Sequence, residues 1–335
     1  MTDYHVGSGQ TYADLAAVAA VINGSSLSAD ARIKIHGTVT ETTLALFQNI
    51  TVNSFGVYVE SASGEKFAGS PLREGVSGAE WVAGNTGGAS LAVNNTVGKF
   101  EILDLQIRKP SSANSGGCVA LGANAEASGH AIRRCIVLIE GQADQAVFIW
   151  GGVAENLLIV NTASYLQYGL RTDGNGSATN VGCIDLNSAS NSASSVGFGN
   201  TAGSGFPLVC TNCWSIGWDA DCSGSSAISG SYNATDKSSG GTNFPATNRQ
   251  TDIVAATELV DAAGADYDAN IKSTSVKLLN LGTASGRPST DINGNSWVTN
   301  DIGPVRYAAA GGSGIARIIG GKILGGNIIN GGLVG

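Results

Sequence analysis

The sequence predicts an all-β solenoid, one chain wound into a stack of coils, on three observations. First, short apolar bursts recur between Phe100 and Ala234, at 102–107, 134–139, 156–161, 182–187, 212–217 and 230–235. With Asp104, Cys135, Leu157, Cys183, Cys213 and Ser231 taken as equivalent, the step is roughly 18 to 31 residues, about one coil each. Second, only 13% of the 335 residues are charged while glycine alone numbers 48. Such a composition suits many short strands joined by tight turns, whereas disordered chains are charge-rich and poor in β-branched residues. Third, hydrophobicity alternates with period two from Arg32 onward, the pattern of strands with one face buried.

In chain order, residues 1–31 read as a capping segment. Thr11-Tyr-Ala-Asp14 has the form of a capping box with Asp in the place of Glu or Gln, and Tyr12, Leu15, Val18, Ala19 and Ile22 fall on one helical face. Asn23-Gly24 ends that helix. A lone amphipathic helix ahead of a long β region is expected to cover the open end of the stack, where unpaired strand edges would otherwise recruit other chains. Residues 32–250 read as coils, with strands at 32–39, 49–54 and 56–61, a longer loop from Trp81 to Gly88, and a loop at 236–250. At about 25 residues per coil that is about eight coils, and at about 4.8 Å per stacked strand a rod of roughly 40 Å.

The formal net charge of −8 and the lack of any polybasic run exclude nucleic acid and anionic membrane as expected partners. Cys210 and Cys213 are spaced as in a metal or redox motif, but on a strand residues three apart face opposite sides. No second pair or histidine cluster completes a four-ligand set, so Cys135, Cys183 and Cys213 are expected to form one inward ladder, with no metal and no cofactor. Asp173, Asp185, Asp219 and Asp221 could supply the carboxylate pair of a glycoside hydrolase. Asp219 and Asp221 would share a strand face beside Trp214 and Trp218, aromatics of the kind that stack on sugars. His5, His36 and His130 are scattered with no Ser-His-Asp pattern, and Arg133, Arg134 and Arg171 read as solvated surface. No catalytic residue is assigned.

The segment 252–307 is the most specific stretch. Ser273 to Leu279, Leu281-Gly282, Asp291-Ile-Asn-Gly294 and Asp301-Ile-Gly303 followed by Tyr307 resemble the closing segment of the right-handed parallel β-helix (pectate-lyase-like) superfamily. Residues 6–15 are similar to the stretch leading into that superfamily's capping helix. The resemblance implies a right-handed parallel β-helix with an N-terminal capping α-helix, coils over 32–250 and a closing segment over 251–307. Trp297, Pro304 and Arg306 depart from the superfamily pattern. Its members include polysaccharide lyases, glycosidases, phage tailspikes and surface proteins, so the likeness does not fix an activity.

Residues 308–335 form a glycine-rich apolar tail. Its glycines together with Lys322, Asn327 and Asn330 argue against a membrane helix. Exposed apolar stretches mark interaction surfaces, so Ile318, Ile319, Ile323, Leu324, Ile328, Ile329, Leu333 and Val334 are the expected assembly interface. The N-terminus has no signal-peptide pattern, which sets the expectation of cytosolic synthesis and unpaired cysteines. Together with the resemblance, these features lead to the expectation of a bacteriophage virion protein, a head decoration or tail-associated β-helix. Its expected partners are other virion proteins and copies of itself, a trimer by likeness to the superfamily's spikes. The alternatives are a carbohydrate-active or sugar-binding spike acting on host polysaccharide, and a cell-surface adhesin.

Overall fold

A computed structural model describes residues 1–66, 78–85, 89–94, 97–110, 116–122, 129–187, 195–201, 207–224, 228–239, 243–261 and 268–307, with the backbone of 317–319 and 322–324. Its long strands are parallel and belong to two sheets of fourteen and seven strands, which is a parallel β-helix. Each coil contributes to three faces. The first runs from Thr2–Val6 through Ala31–Ile35, Val57–Ser61 and Phe100–Leu103 to Leu208–Thr211 and Ile228–Ser231. The second holds Thr38–Glu41, Glu80–Ala83, Gln106–Lys109, Trp214–Ile216 and Ala234–Thr235. The third is the seven-stranded sheet from Ala45–Phe47 to Ala220–Gly224. In the middle coils Ala131–Ile139, Val153–Asn161 and Gly176–Asp185 are long enough to serve both the first and second faces.

A single left-handed residue makes the bend between those two faces. Asp104, Arg134, Asn156, Asn180, Asn212 and Tyr232 all have φ between 48° and 58°. The register stacks them: Arg133 pairs with Glu155 and Cys135 with Leu157, so Arg134 lies opposite Asn156, and the same reasoning carries on to Asn180 and Asn212. Asn and Asp tolerate this conformation best among non-glycine residues. The corner ladder corrects the expected equivalence. Cys135 and Leu157 do pair, but the next residue in that row is Val181, and Cys183 lies one inward position further along, beside Ile159. The bend also explains how Cys210 and Cys213 enter the same core: Asn212 turns the chain between them, so both thiols point inward.

At the N-terminal end the helix is Leu15–Ile22, shorter than the capping box implied. Asp14, not Thr11, is the N-cap, accepting a hydrogen bond from Ala17 N at 2.8 Å. Leu15, Val18, Ala19 and Ile22 join the main core, the face the periodicity identified. The expected strand at 49–54 is absent; Asn49 and Asn53 take positive φ and leave one bridge, Ser26 to Thr51. Trp81, expected in a loop, is fully buried in the strand Glu80–Ala83. In the predicted loop 236–250, Phe244 is buried against Phe198, with ring centroids 5.3 Å apart.

The C-terminal segment lies along the outside of the second face. Ile136, Leu138, Leu158, Val160, Ile184, Trp214 and Ile216 point outward from that face and form a second core with Ile253, Leu259, Ile271, Leu278, Ile292, Ile302 and Val305. Its two Asp-Gly motifs act as fasteners. Asp291 accepts from the N–H of Asn293 and Asn295 at 3.0 and 2.8 Å, while Asp301 accepts from Asn280 N and Tyr307 N at 2.9 and 2.8 Å. Gly303, at φ 113°, sits on the Trp214 indole where any Cβ would collide with Nε1, and its N–H donates to Asn212 O at 2.8 Å. The corner ladder grips the same segment. Asn212 exchanges two 2.8 Å hydrogen bonds with the Thr283 backbone, and Asn156 Nδ2 donates to Thr290 O at 2.6 Å.

Candidate functional site

The residues expected to serve a sugar-cleaving site are not brought together for it. Trp214 and Trp218 are both buried, each in a different core. Asp219 is exposed and accepts from Ser195 N at 2.9 Å, whereas Asp221 is buried and accepts from Thr235 Oγ1 at 2.7 Å. Asp185 is buried as well and holds Asn161 Nδ2 at 3.0 Å. A carboxylate pair for hydrolysis must face one open space, and Asp219 and Asp221 do not.

All six cysteines are free and buried. Cys183, Cys210, Cys213 and Cys222 share the interior of the last coils, and burial pushes the thiols of Cys183, Cys210 and Cys222 well above their usual range. Burial likewise raises Cys118 and Cys135 to about 12. A thiol held protonated is a poor nucleophile and a poor ligand. Among the described residues no group of three or more His, Cys, Asp or Glu side chains is set to hold a metal ion.

Sequence reasoning missed a place where several partly exposed aromatic rings and polar side chains meet, on the outside of the third face. Phe148 and Arg171 are opposite each other in register, as are Gln145 and Tyr168. The Arg171 guanidinium lies 5.3 Å from the Phe148 ring centre and 5.5 Å from that of Tyr168. It is held there by Asp173, through Nε at 3.2 Å and Nη2 at 2.6 Å, and by Thr201 Oγ1 at 2.8 Å. Trp150 meets Phe148 edge to face with centroids 6.2 Å apart, and Tyr168 lies over Gly199, where a side chain would displace it. The signal was available in principle: Tyr168 and Arg171 stand three apart near one strand end, one coil above Gln145 and Phe148. Arg133 and Arg134, read as solvated, are instead ion-paired, Arg133 with Glu155 and Arg134 with Asp104 at 2.6 Å.

Of the expected assembly interface, Ile318 and Ile319 fall in the strand Arg317–Ile319, and Ile323 and Leu324 in Lys322–Leu324. The two strands pair antiparallel, with Ile318 opposite Ile323. Ile328, Ile329, Leu333 and Val334 lie outside the described residues.

These features define a class, a parallel β-helix with a lateral apolar layer and a partly exposed aromatic–arginine cluster on its third face. No family model matches the chain, and no curated protein matches it either. Among solved structures it is similar to the pectin methylesterase from Aspergillus niger, in its deglycosylated form and in a form retaining an N-acetylglucosamine stub. Each match has a TM-score of 0.40 and 10% identity and covers 74% of this chain and 82% of that one. A likeness at that level carries no argument about activity, and the fold assignment rests on the sheets themselves.

Proposed function

We propose that this chain is a structural protein of a virus particle, a phage head decoration or tail-associated right-handed β-helix. In this reading the N-terminal helix caps the stack and the C-terminal apolar tail holds the protein in the assembly. The observation that supports it is how its chemistry-bearing side chains are used. The thiols are sealed in the core, and Asp173, Asp185 and Asp221 are buried and hold neighbouring side chains in place. What remains is a stiff rod with an apolar, glycine-punctuated end, suited to spacing and attachment. Cofractionation of the chain with intact particles, lost when residues 313–335 are deleted, is the expected result. A protein that stays free of particles at full length would sink the reading.

The outward cluster of Phe148, Trp150, Tyr168 and Arg171 favours a second reading, a sugar-recognising spike. Flat rings flanking a fixed guanidinium offer both stacking and hydrogen-bond donors. The carboxylate in it, Asp173, is occupied by Arg171 and Thr201, so this reading is of binding rather than cleavage. Retention on host polysaccharide that disappears in Tyr168→Ala and Arg171→Ala would support it; retention unchanged in both variants would remove it.

A further inference from the structure

The first strand carries a histidine pair that neither reading uses. His5, on the edge strand Thr2–Val6, and His36, just past the end of Ala31–Ile35, bring His5 Nδ1 and His36 Nε2 to 2.8 Å. The backbone fixes this approach. His36 N donates to Val6 O at 2.9 Å, and Gly7 packs against the His36 carbonyl where a Cβ would not fit. The other nitrogen of His36 is also committed: Nδ1 lies 2.8 Å from Glu65 Oε1. Glu65 is in turn held by the Gly37 N–H on its second oxygen at 2.7 Å, which fixes the carboxyl against His36. In the neutral ring that donates Nδ1–H to this carboxylate, Nε2 is the nitrogen that presents a lone pair toward His5.

We propose that His5 and His36 form a site for a borderline-soft divalent cation such as Zn2+, with Glu65 orienting His36 from behind. Carboxylate–imidazole–metal chains are the common way a ligating histidine is fixed in tautomer and angle. Two zinc–nitrogen bonds of about 2.0–2.1 Å at a tetrahedral angle place the nitrogens about 3.3 Å apart, a small widening from the observed 2.8 Å. On binding, the proton shared between the rings moves to His5 Nε2, on an exposed side chain, and His5 Nδ1 turns its lone pair to the ion. Nearby cations are already neutralised: Lys34 is held by Glu60 at 2.6 Å and Lys66 by Asp104 at 2.9 Å. With two protein ligands the remaining positions go to water, so the ion exchanges readily. Its structural effect is to pin the edge strand to the first coil.

The test is calorimetric titration of ZnCl2 into the tag-free full chain in a non-chelating buffer, with hydrogen exchange of residues 2–6 followed alongside. The expected result is one ion per chain, slower exchange across that strand, loss of both effects in His5→Ala and in His36→Ala, and affinity about 10- to 100-fold weaker in Glu65→Gln. No saturable binding overturns the proposal. So does binding that survives the double His5→Ala/His36→Ala variant, which would place the ion elsewhere, or affinity untouched by Glu65→Gln.

Discussion

The outward sides of the first and second faces are built on the same regular coils yet are satisfied in opposite ways. Across the first face the outward positions carry charge, and neighbouring coils neutralise one another: Arg32 and Lys34 with Glu60, Arg133 with Glu101 and Glu155. Across the second face the earlier coils carry Glu80, Gln106 and Arg108, but from Ala131–Ile139 onward the outward positions are Ile136, Leu138, Leu158, Val160, Ile184, Trp214 and Ile216, and these coils cannot cover one another because each presents the same kind of side chain. A separate stretch, 253–305, covers them with residues that do not repeat. Charges in water that pair coil to coil contribute little each, whereas a sealed apolar layer contributes in proportion to the area it removes from water. The stability of this molecule should therefore be lopsided.

The sharpest way to break that contrast is Trp214→Ala. The indole is buried under Gly303 and at the centre of the second core, so the expected cost is about 3–5 kcal/mol. Denaturant unfolding should show an early transition in which 252–307 becomes protease-sensitive while the parallel sheets keep their far-ultraviolet circular dichroism. A single late transition would mean that coils and outer layer unfold as one. Gly303→Ala attacks the same contact from the other side. Its positive φ and the collision with Trp214 predict a loss of about 1–3 kcal/mol, again confined to the outer layer. If Gly303→Ala matches wild type in protease protection, the close packing against Trp214 is not what holds the layer.

A third change probes the inner side of the second face. Glu41 is buried there, accepting from Leu15 N at 2.9 Å at the start of the helix, and burial, with Asp14 nearby, raises its carboxyl from an ordinary 4.5 to about 7. The folded state thus binds a proton that the unfolded chain has released between about pH 4.5 and 7. The associated stability is complete below the lower value and lost as pH rises through the upper one. Glu41→Gln keeps a neutral acceptor for Leu15 N, so the variant should match wild type at pH 4 and exceed it by about 1–3 kcal/mol at pH 8. Equal melting temperatures of the two proteins at pH 8 would contradict the assignment.

The inner rows of this fold could be read from the sequence because they repeat. Leu15, Val18, Ala19 and Ile22, and the alternation from Ala31 to Ile35, announce their buried side through period alone. The corner ladder was not read from the sequence: Arg134 and Tyr232 occupy the same left-handed position as Asp104, Asn156, Asn180 and Asn212, and no propensity would assign them to it. The outer layer was legible only as a resemblance. Its Asp-x-x-Gly and Asp-Ile-Gly pieces were identified, yet their role depends on Trp214 and Asn212, far away in the chain. The same limit applies to the cluster on the third face. Phe148, Tyr168 and Arg171 converge through coil register, and register was placed wrongly at Cys183, two residues past Val181 in the row that holds Cys135 and Leu157.

The smallest expected effect completes the contrast from the charged side. Arg133 pairs with Glu155 and lies 3.6 Å from Glu101, with all three side chains partly open to water. Each charge has more than one neighbour and a solvent shell to fall back on, so removing one leaves no sealed, uncompensated ion. A double-mutant cycle with Arg133→Met and Glu155→Gln should give a coupling of about 0.2–1 kcal/mol. It should shrink toward zero in 1 M salt, where the screening length falls to about 3 Å. A coupling above about 2 kcal/mol that survives salt would mean the first face is held by a desolvated ionic network. In that case the outer layer on the second face would no longer be the dominant external contribution to the rod's stability.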